Sequence, residues 1–178
     1  GTKKIIVVSE QVKKFYIEDV GIPAKKCEVI YNGINPHPPA ASRDEIEKKK
    51  QELRIGQGVP VIVNIGRLVP AKANHIFIEA LRILDQKDIV FHALIIGEGP
   101  LKKPLMDASA DLINKKKLTF TGLRKDVPKI LDFTDVAVLS STREGFSMAI
   151  LESMAKGVPF VATDAGGKRA GDDAGFPS

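Results

Sequence analysis

From residue 59 onward the chain alternates short apolar runs, rich in β-branched residues, with longer amphipathic segments. The pattern predicts strands at about 60–65, 91–96, 117–121, 135–139 and 158–163, and helices at about 73–86, 101–114, 126–132 and 146–156. Short apolar strands separated by helices are typical of a parallel sheet buried on both faces. We therefore predict an α/β, Rossmann-like parallel sheet with helices on both faces, and a ligand along the carboxyl edge of its strands.

The first 58 residues are less regular. A strand is expected at 5–8 and a helix after it through about Glu18, and a short strand from Cys27 to Ile30 follows. The proline-rich stretch 35–42 favours an extended connector. A charged helix is expected after it, at about 43–53.

Composition indicates an ordinary globular domain. A chain of 178 residues with 43% hydrophobic residues can bury a single α/β core. No apolar run approaches the ~20 residues that a membrane-spanning helix needs. The lone cysteine, Cys27, cannot form an internal disulfide, which favours a reducing compartment and a cytoplasmic location.

The net charge of +5 admits three kinds of ligand: nucleic acid, an anionic membrane surface or a phosphorylated molecule. The lysine runs at 48–50 and 115–117 are short, and solvated helix faces or ends explain them. The chain has no tryptophan and no basic stripe interleaved with aromatic residues, so little besides charge supports nucleic-acid binding.

Two glutamates bracket the start of the last predicted helix. Glu144 precedes the helix, and Glu152 lies roughly 10 Å further along it. Between them, the backbone N–H groups around Phe146 and Ser147 can point at a phosphate, helped by the helix dipole. The order carboxylate, anion site, carboxylate matches the order sugar, diphosphate, ribose in a nucleotide sugar. Taken singly, each glutamate has a simpler explanation, as a partner of the helix dipole or a solvated helix residue.

A basic pair follows the strand predicted at 60–65. Gly66 ends that strand and allows a ligand to approach the backbone. Arg67 can donate two parallel hydrogen bonds to phosphate oxygens, and Lys72 supplies a point charge. Taken alone, both cations are better explained by surface salt bridges.

These segments resemble the motifs of retaining GT-B glycosyltransferases, the group that includes glycosyltransferase family 4 and glycogen synthase-like enzymes. The span from Glu144 to Glu152 is similar to the E-x7-E motif of that group. Five other segments agree with the family in the right order: Ile30–Ile34, Gly66–Lys72, Ile96–Leu101, Phe120–Gly122 and Gly157–Gly167. The resemblance implies a C-terminal, donor-binding domain, one half of a GT-B fold.

The resemblance also implies an activity. The complete enzyme would transfer a hexosyl group, with retention of configuration, from a nucleotide diphosphate sugar to a hydroxyl acceptor. A UDP-sugar is our first expectation for the donor, and GDP-mannose is the second. Catalytic roles fall on Arg67 and Lys72, which would neutralise the leaving diphosphate, and on Glu144, which would contact hydroxyls of the transferred sugar.

Donor-binding roles follow in the same way. Glu152 would hold the ribose hydroxyls. The other implied donor-binding residues are Gly66, Gly145, Phe146, Ser147, Leu123 and Arg124, the last two near the base. The family uses neither metal nor cofactor, and the three histidines here have no metal-ligand spacing. One departure is Ala73, where the family usually has glycine, an exchange expected to stiffen or shift the loop.

The resemblance divides the chain into three parts. Residues 1–34 resemble the end of an acceptor-side domain with the crossing linker, 35–58 a connector with a charged helix, and 59–178 a donor-binding domain shortened at its C-terminus. We therefore expect a fragment or a shortened relative, inactive alone. A glycan, lipid or small-molecule acceptor would bind through the missing domain, and peripheral attachment to the inner membrane face stays open.

Two other classes of function remain open. The first is a non-catalytic module that binds nucleotide sugars or stabilises a partner subunit. The second is a GT-B relative with different chemistry, such as a sugar-nucleotide epimerase or a phosphorylase. A binder of nucleic acid comes last.

Overall fold

The computed structural model describes residues 2–164; residues 165–178, with the end of the last family motif, lie outside the described part. Seven strands are present: β1 (Ile5–Val7), β2 (Cys27–Val29), β3 (Val61–Ile65), β4 (His92–Ile96), β5 (Leu118–Gly122), β6 (Val136–Leu139) and β7 (Phe160–Ala162). Seven α-helices accompany them: α1 (Glu10–Glu18), α2 (Arg43–Glu52), α3 (Asn74–Gln86), α4 (Lys102–Ala108), α5 (Ala110–Asn114), α6 (Val127–Leu131) and α7 (Met148–Ala155).

The strands form two parallel sheets. A small sheet pairs β1 with β2, in the register Ile5 to Cys27. The larger sheet has the order β5-β4-β3-β6-β7, with every neighbouring pair parallel. The predicted fold class, a Rossmann-like parallel sheet with helices on both faces, is confirmed. Because the chain reverses its direction of winding between β3 and β6, the carboxyl ends of these two strands border a crevice.

Strand β4, next to the central strand β3, is buried along its whole length, as expected of a parallel sheet covered on both faces. Its alternate side chains serve two separate cores. Leu94 and Ile96 join the core beneath α2 and α6, whereas Ala93 and Ile95 join the core beneath α3, α4 and α5. The two cores therefore cover the two faces of the sheet.

One predicted helix is broken. The pattern at 101–114 predicts a single helix, but the structure has α4 and α5 separated at Ser109. Ser109 is fully buried, and its hydroxyl donates to the carbonyl of Leu105 at 2.7 Å. Its backbone leaves the helical region, with φ −116° and ψ 21°. A hydroxyl that bonds back to its own helix competes with the regular hydrogen bonds, which explains the break.

The connector between the two sheets is fastened by a buried ion pair. The Lys156 ammonium lies 2.7 Å from the Asp132 carboxylate, and their side chains are only 5% and 9% exposed. The same two groups bind connector backbone, Lys156 to the Pro39 carbonyl at 2.8 Å and Asp132 to the Ala41 N–H at 2.7 Å. The extended stretch is therefore held against α6 and α7.

The loops after β3 and β4 approach each other closely. The Gly66 N–H donates to the Ile96 carbonyl at 3.0 Å, and the Leu68 N–H donates to the Glu98 carbonyl at 2.9 Å. At Gly97, where φ is +148°, an added Cβ would lie 1.9 Å from the Gly66 carbonyl oxygen. A glycine is therefore required at this point of the edge. Within residues 2–164, no helix has the length and apolar character needed to cross a membrane.

Candidate functional site

The two halves of the predicted site meet at the carboxyl edge of the large sheet. Lys72 ends a 3₁₀ turn after β3, and Glu144 lies in the loop after β6. The Lys72 ammonium donates to the Glu144 carboxylate, with 22% and 13% of the two side chains exposed. The Ser141 hydroxyl donates to the same carboxylate at 3.3 Å. The fold thus brings together two residues that are 72 positions apart in sequence.

A buried polar layer lies beneath this pair. Asn64, Asn74, Ser140 and Ser141 are each no more than 4% exposed. They connect β3, the start of α3 and the end of β6 through hydrogen bonds of 2.8 to 3.4 Å. Sequence reasoning missed all four residues. The signal that could have found the first is a lone asparagine inside an apolar strand, because a buried amide there needs hydrogen-bond partners.

Ala73 stands between Lys72 and the start of α3. Its backbone is left-handed, with φ 44° and ψ 42°, and its side chain is buried. Glycine reaches this region without strain, whereas alanine has its Cβ close to the following carbonyl. The structure therefore explains why glycine suits this position, and it shows that the chain makes the turn with alanine.

Gly66 lies beside Lys72, and Arg67 follows Gly66 in the same loop. A Cβ added to Gly66 would be 3.4 Å from Lys72 Cε, so the lysine side chain runs across the bare glycine. Arg67 is exposed, and within residues 2–164 its guanidinium has neither a hydrogen bond nor an ion pair. A guanidinium without a partner in the described part of the chain can bind an anion with several oxygens.

The loop that carries Glu144 also contacts the small sheet's segment. A Cβ on Gly145 would be 3.0 Å from Val12 Cγ2, in helix α1. The rings of Phe146 and Tyr31 have their centroids 6.2 Å apart. Ser147 is the N-cap of α7, but its side chain makes no capping hydrogen bond. The segment 145–147 thus lies between the two sheets, ahead of an uncapped helix N-terminus.

Glu152 faces a separate cavity of about 220 Å³. Its walls come from the connector and from two helices: Ile34, Asn35, Pro38, Pro128, Leu131, Ala155 and Lys156. Burial raises the pKa of the Glu152 carboxyl above its ordinary value. Among the described residues Glu152 has neither a hydrogen bond nor an ion pair, so its acceptor oxygens are available to hydroxyl groups.

The two residues predicted near the base are placed differently from each other. Leu123 is 80% exposed after β5. Arg124 donates two hydrogen bonds to Asp126, at 2.7 and 2.6 Å, and one to Glu52 at 2.7 Å. Lys49 completes the cluster, 2.6 Å from Asp126. These bonds raise the pKa of Arg124 and lower that of Asp126. In this structure Arg124 joins α2 to the start of α6, and its role toward a base stays a prediction.

The described residues therefore offer positive charge and carboxylate acceptors. Arg67 and Lys72 supply positive charge to an anion, and Glu144 supplies acceptor oxygens next to Lys72. Glu152 supplies acceptor oxygens at the separate cavity. A ligand with hydroxyls on both sides of a diphosphate matches this arrangement of donors and acceptors.

Comparisons with known proteins identify a family for the chain. A family model described as glycosyl transferases group 1 matches residues 45–170. A UDP-Gal:alpha-D-GlcNAc-diphosphoundecaprenol alpha-1,3-galactosyltransferase of Escherichia coli is 30% identical over 93% of this chain and 44% of its own length. A GDP-mannose-dependent alpha-(1-6)-phosphatidylinositol monomannoside mannosyltransferase of Mycobacterium tuberculosis is 29% identical over 94% of this chain and 45% of its own length.

Among solved structures, Anabaena HepE in complex with UDP-glucose superimposes with a TM-score of 0.82 at 29% identity, covering 94% of this chain and 46% of HepE. The chain thus spans less than half the length of these relatives. The family model covers most of the five-stranded sheet together with both halves of the site. The chain therefore belongs to the group 1 glycosyltransferase family and has the Rossmann-like sheet of the GT-B enzymes.

Proposed function

We propose that this chain binds a nucleotide diphosphate sugar and contributes the donor side of a retaining hexosyltransferase. The observation that carries the proposal is the meeting of Lys72 with Glu144 at the carboxyl edge of the sheet, in the loop that also carries the exposed Arg67. Within residues 2–164, Arg67 has no salt-bridge partner and Lys72 is held by a single carboxylate, so both cations can bind a diphosphate. The adjacent carboxylate suits the hydroxyls of the sugar that the diphosphate carries.

The donor would replace the existing ion pair. When its diphosphate binds Arg67 and Lys72, the Glu144 carboxylate is left free to accept hydrogen bonds from the hexose. At the other end of the donor, Glu152 would accept hydrogen bonds from the ribose hydroxyls within the cavity of about 220 Å³. The backbone N–H groups of 145–147 would donate to the phosphates, aided by the dipole of α7.

In the proposed reaction, the bond between the anomeric carbon and the diphosphate oxygen breaks, and a bond from that carbon to the acceptor oxygen forms on the same face. The acceptor proton passes to the departing phosphate oxygen. Negative charge grows on the leaving nucleoside diphosphate, and Arg67 with Lys72 would stabilise it in place of a metal ion. Glu144 would bind the sugar and has no general-base role in this scheme.

The relatives support a UDP-sugar as the first choice of donor. The name of the Escherichia coli relative specifies UDP-Gal, and the HepE structure holds UDP-glucose. GDP-mannose remains the second choice, because the mycobacterial relative is named for it. The acceptor would be a hydroxyl of a glycan, a lipid or a small molecule, held mostly by residues outside this chain. Cytoplasmic location and peripheral membrane attachment remain part of the proposal.

Calorimetric titration of the chain with UDP, GDP, ADP and their sugar conjugates tests the proposal. We expect one nucleotide to bind selectively and Glu152→Ala to weaken it. Arg67→Ala should lower the affinity for the diphosphate more than that for the nucleoside, because Arg67 would contact only phosphate oxygens. Glu47→Ala, at an exposed position of α2, is the matched control and should leave binding unchanged.

The outcomes separate the alternatives. Binding that is unaffected by both Glu152→Ala and Arg67→Ala would show that the donor lies elsewhere. Epimerised donor in the absence of acceptor, or sugar phosphate formed with free phosphate, would replace the transferase proposal with an epimerase or a phosphorylase.

A further inference from the structure

We propose that Asn64 and Ser140 are positioning residues, which hold the Lys72 loop against the Glu144 loop and so fix where the Lys72 ammonium meets the donor diphosphate. The inference rests on the proposed donor binding. It adds two buried residues that act through Lys72 rather than by touching the donor.

Asn64 is the only polar residue of β3 and is 4% exposed. Its amide nitrogen donates to the Val138 carbonyl at 3.0 Å and to the Ser140 hydroxyl at 3.4 Å. A buried amide costs free energy unless its hydrogen bonds are made, so these bonds constrain where the end of β6 lies. The side chain of Asn64 thereby connects β3 to β6, the two strands that border the crevice.

Ser140 connects the end of β6 to the loop that carries Lys72. Its hydroxyl donates to the backbone carbonyl of Lys72 at 2.9 Å. Two residues further on, the N–H of Thr142 donates to the Ala71 carbonyl at 2.9 Å. The 3₁₀ turn Pro70–Lys72 is therefore attached to the end of β6 at two points. The Ser141 hydroxyl, between those points, donates to Glu144 at 3.3 Å, so one short segment contacts both halves of the site.

Asn74 fixes Asn64 from the other side. As the first residue of α3, it donates its amide to Asn64 Oδ1 at 2.8 Å. Its own Oδ1 is buried and has no hydrogen-bond partner within residues 2–164. The side chain of Asn74 therefore points inward and holds Asn64, while its own amide oxygen makes no hydrogen bond within residues 2–164. The left-handed turn at Ala73 places Asn74 at this point.

The chain of bonds runs from α3 through β3 and β6 to the backbone of Lys72. Because the carbonyl of Lys72 is fixed, its side chain begins from a defined point beside Gly66. Charged groups contribute fully to a bound transition state or ligand only when neighbouring packing and hydrogen bonds hold them in place. Loss of the Ser140 bond should therefore weaken the interaction with the second phosphate and leave the nucleoside interaction intact.

Calorimetric titrations with UDP, UMP and uridine measure this directly, because the ratio of UDP to UMP affinity isolates the second phosphate. For Ser140→Ala and for the similarly sized Asn64→Leu, we expect that ratio to fall about fivefold to tenfold and uridine affinity to stay within about twofold. Ser140→Thr keeps the hydroxyl and should restore the ratio. Ser109→Ala is the matched control, since Ser109 is a fully buried serine whose hydroxyl bonds a helix carbonyl at 2.7 Å, in the α4–α5 segment.

A purely structural role would lower stability in Ser140→Ala and Ser109→Ala alike and leave the UDP to UMP ratio unchanged in both; that result overturns the positioning role while donor binding stands. If Asn64→Leu does not fold, the comparison of Ser140→Ala with Ser140→Thr decides alone. Failure of the unmodified chain to bind UDP, GDP, ADP and the corresponding monophosphates and nucleosides would instead reject the donor function, and the positioning role with it.

Discussion

The ammonium of Lys72 and the carboxylate of Glu144 neutralise each other at the mouth of the crevice, with most of both side chains buried. The two groups therefore form an ion pair rather than two separate charges. A diphosphate that binds Lys72 must displace the carboxylate, and the displaced carboxylate then becomes available to the sugar. Binding of the diphosphate and binding of the sugar are therefore energetically coupled.

If the diphosphate displaces Glu144 from Lys72, loss of the Glu144 charge should strengthen binding of UDP and reduce the added affinity of the sugar in UDP-glucose. Glu144→Gln keeps the shape of the side chain but removes its charge, so Lys72 is released and repulsion of the diphosphate disappears. We expect the affinity for UDP to rise about threefold to tenfold. The additional affinity of UDP-glucose over UDP should fall, because an amide accepts fewer hydrogen bonds from the hexose. Calorimetric titration with both ligands measures the two effects.

Asp85→Asn is the matched control for this experiment. The Asp85 carboxylate is 14% exposed, close to the 13% of Glu144, and it pairs with Lys115 at 2.7 Å. It lies in the last turn of α3, remote from the helix start that adjoins Lys72. Asp85→Asn should leave both affinities unchanged, and an unchanged UDP affinity in Glu144→Gln would contradict the exchange.

The fold could be predicted because it depends on local patterns. Each predicted strand of the large sheet overlaps an observed one, since short β-branched runs between helices have few other arrangements. The break at Ser109 was missed because a serine inside a helical pattern gives no sign that its hydroxyl will bond back to Leu105. Periodicity reports which face is buried and says nothing about such local competition.

The candidate site could be predicted only in part. Lys72 and Glu144 were found through family motifs, and their direct contact follows from a topology that brings the ends of β3 and β6 together. Of the two hydrogen-bond partners of Arg124, one could have been predicted from the sequence and the other could not. Asp126 lies two residues away and could have been noticed, but Glu52 belongs to α2, whose position against α6 depends on packing between distant segments.

The buried pair of Lys156 and Asp132 should contribute strongly to stability. Asp132→Ala leaves the ammonium, which is 5% exposed, with the Pro39 carbonyl as its one remaining partner among residues 2–164, and it removes the acceptor of the Ala41 N–H. We expect the free energy of unfolding to fall by about 3 kcal/mol. Urea denaturation measures this loss.

Asp107→Ala provides the comparison, because Asp107 pairs with Lys103 at 3.0 Å on the surface, with 65% and 85% of the two side chains exposed. Its loss should be below about 1 kcal/mol. Equal losses in the two variants would show that the connector is held by other contacts.

The close approach of the loops after β3 and β4 predicts that alanine at Gly97 will lower the free energy of unfolding more than alanine at two other glycines. Gly97→Ala would place a Cβ 1.9 Å from the Gly66 carbonyl oxygen, with φ at +148°. We expect a loss of at least about 3 kcal/mol, because both backbone strain and a clash oppose the change. Gly157→Ala has φ +68° but open space, so about 1 kcal/mol is expected. Gly33→Ala has neither, and should change the free energy of unfolding by less than about 0.5 kcal/mol.

Urea denaturation of the three variants tests the order of these losses. If Gly97→Ala is no worse than Gly157→Ala, the two loops can separate without cost. In that case the edge that carries Gly66 and Lys72 is less rigid than its hydrogen bonds indicate.

The buried carboxyl of Glu152 should lower the free energy of unfolding at neutral pH, although the same charge should favour binding of the donor. Burial raises its pKa in the folded protein above the unfolded value of about 4.3, so the folded state holds the proton more tightly. Between the unfolded and the folded pKa, the free energy of unfolding therefore falls as pH rises, and above the folded pKa the penalty is constant. Glu152→Gln removes this penalty.

We expect Glu152→Gln to match the unmodified protein near pH 4 and to become more stable than it as pH rises, reaching a constant advantage at neutral pH. Urea denaturation from pH 4 to pH 8 measures the difference. UDP affinity at neutral pH should move the other way and fall in Glu152→Gln, because the ribose loses a charged acceptor. A variant that is both less stable and weaker in binding would show that Glu152 has a structural partner, and that the cavity beside it is not kept for a ligand.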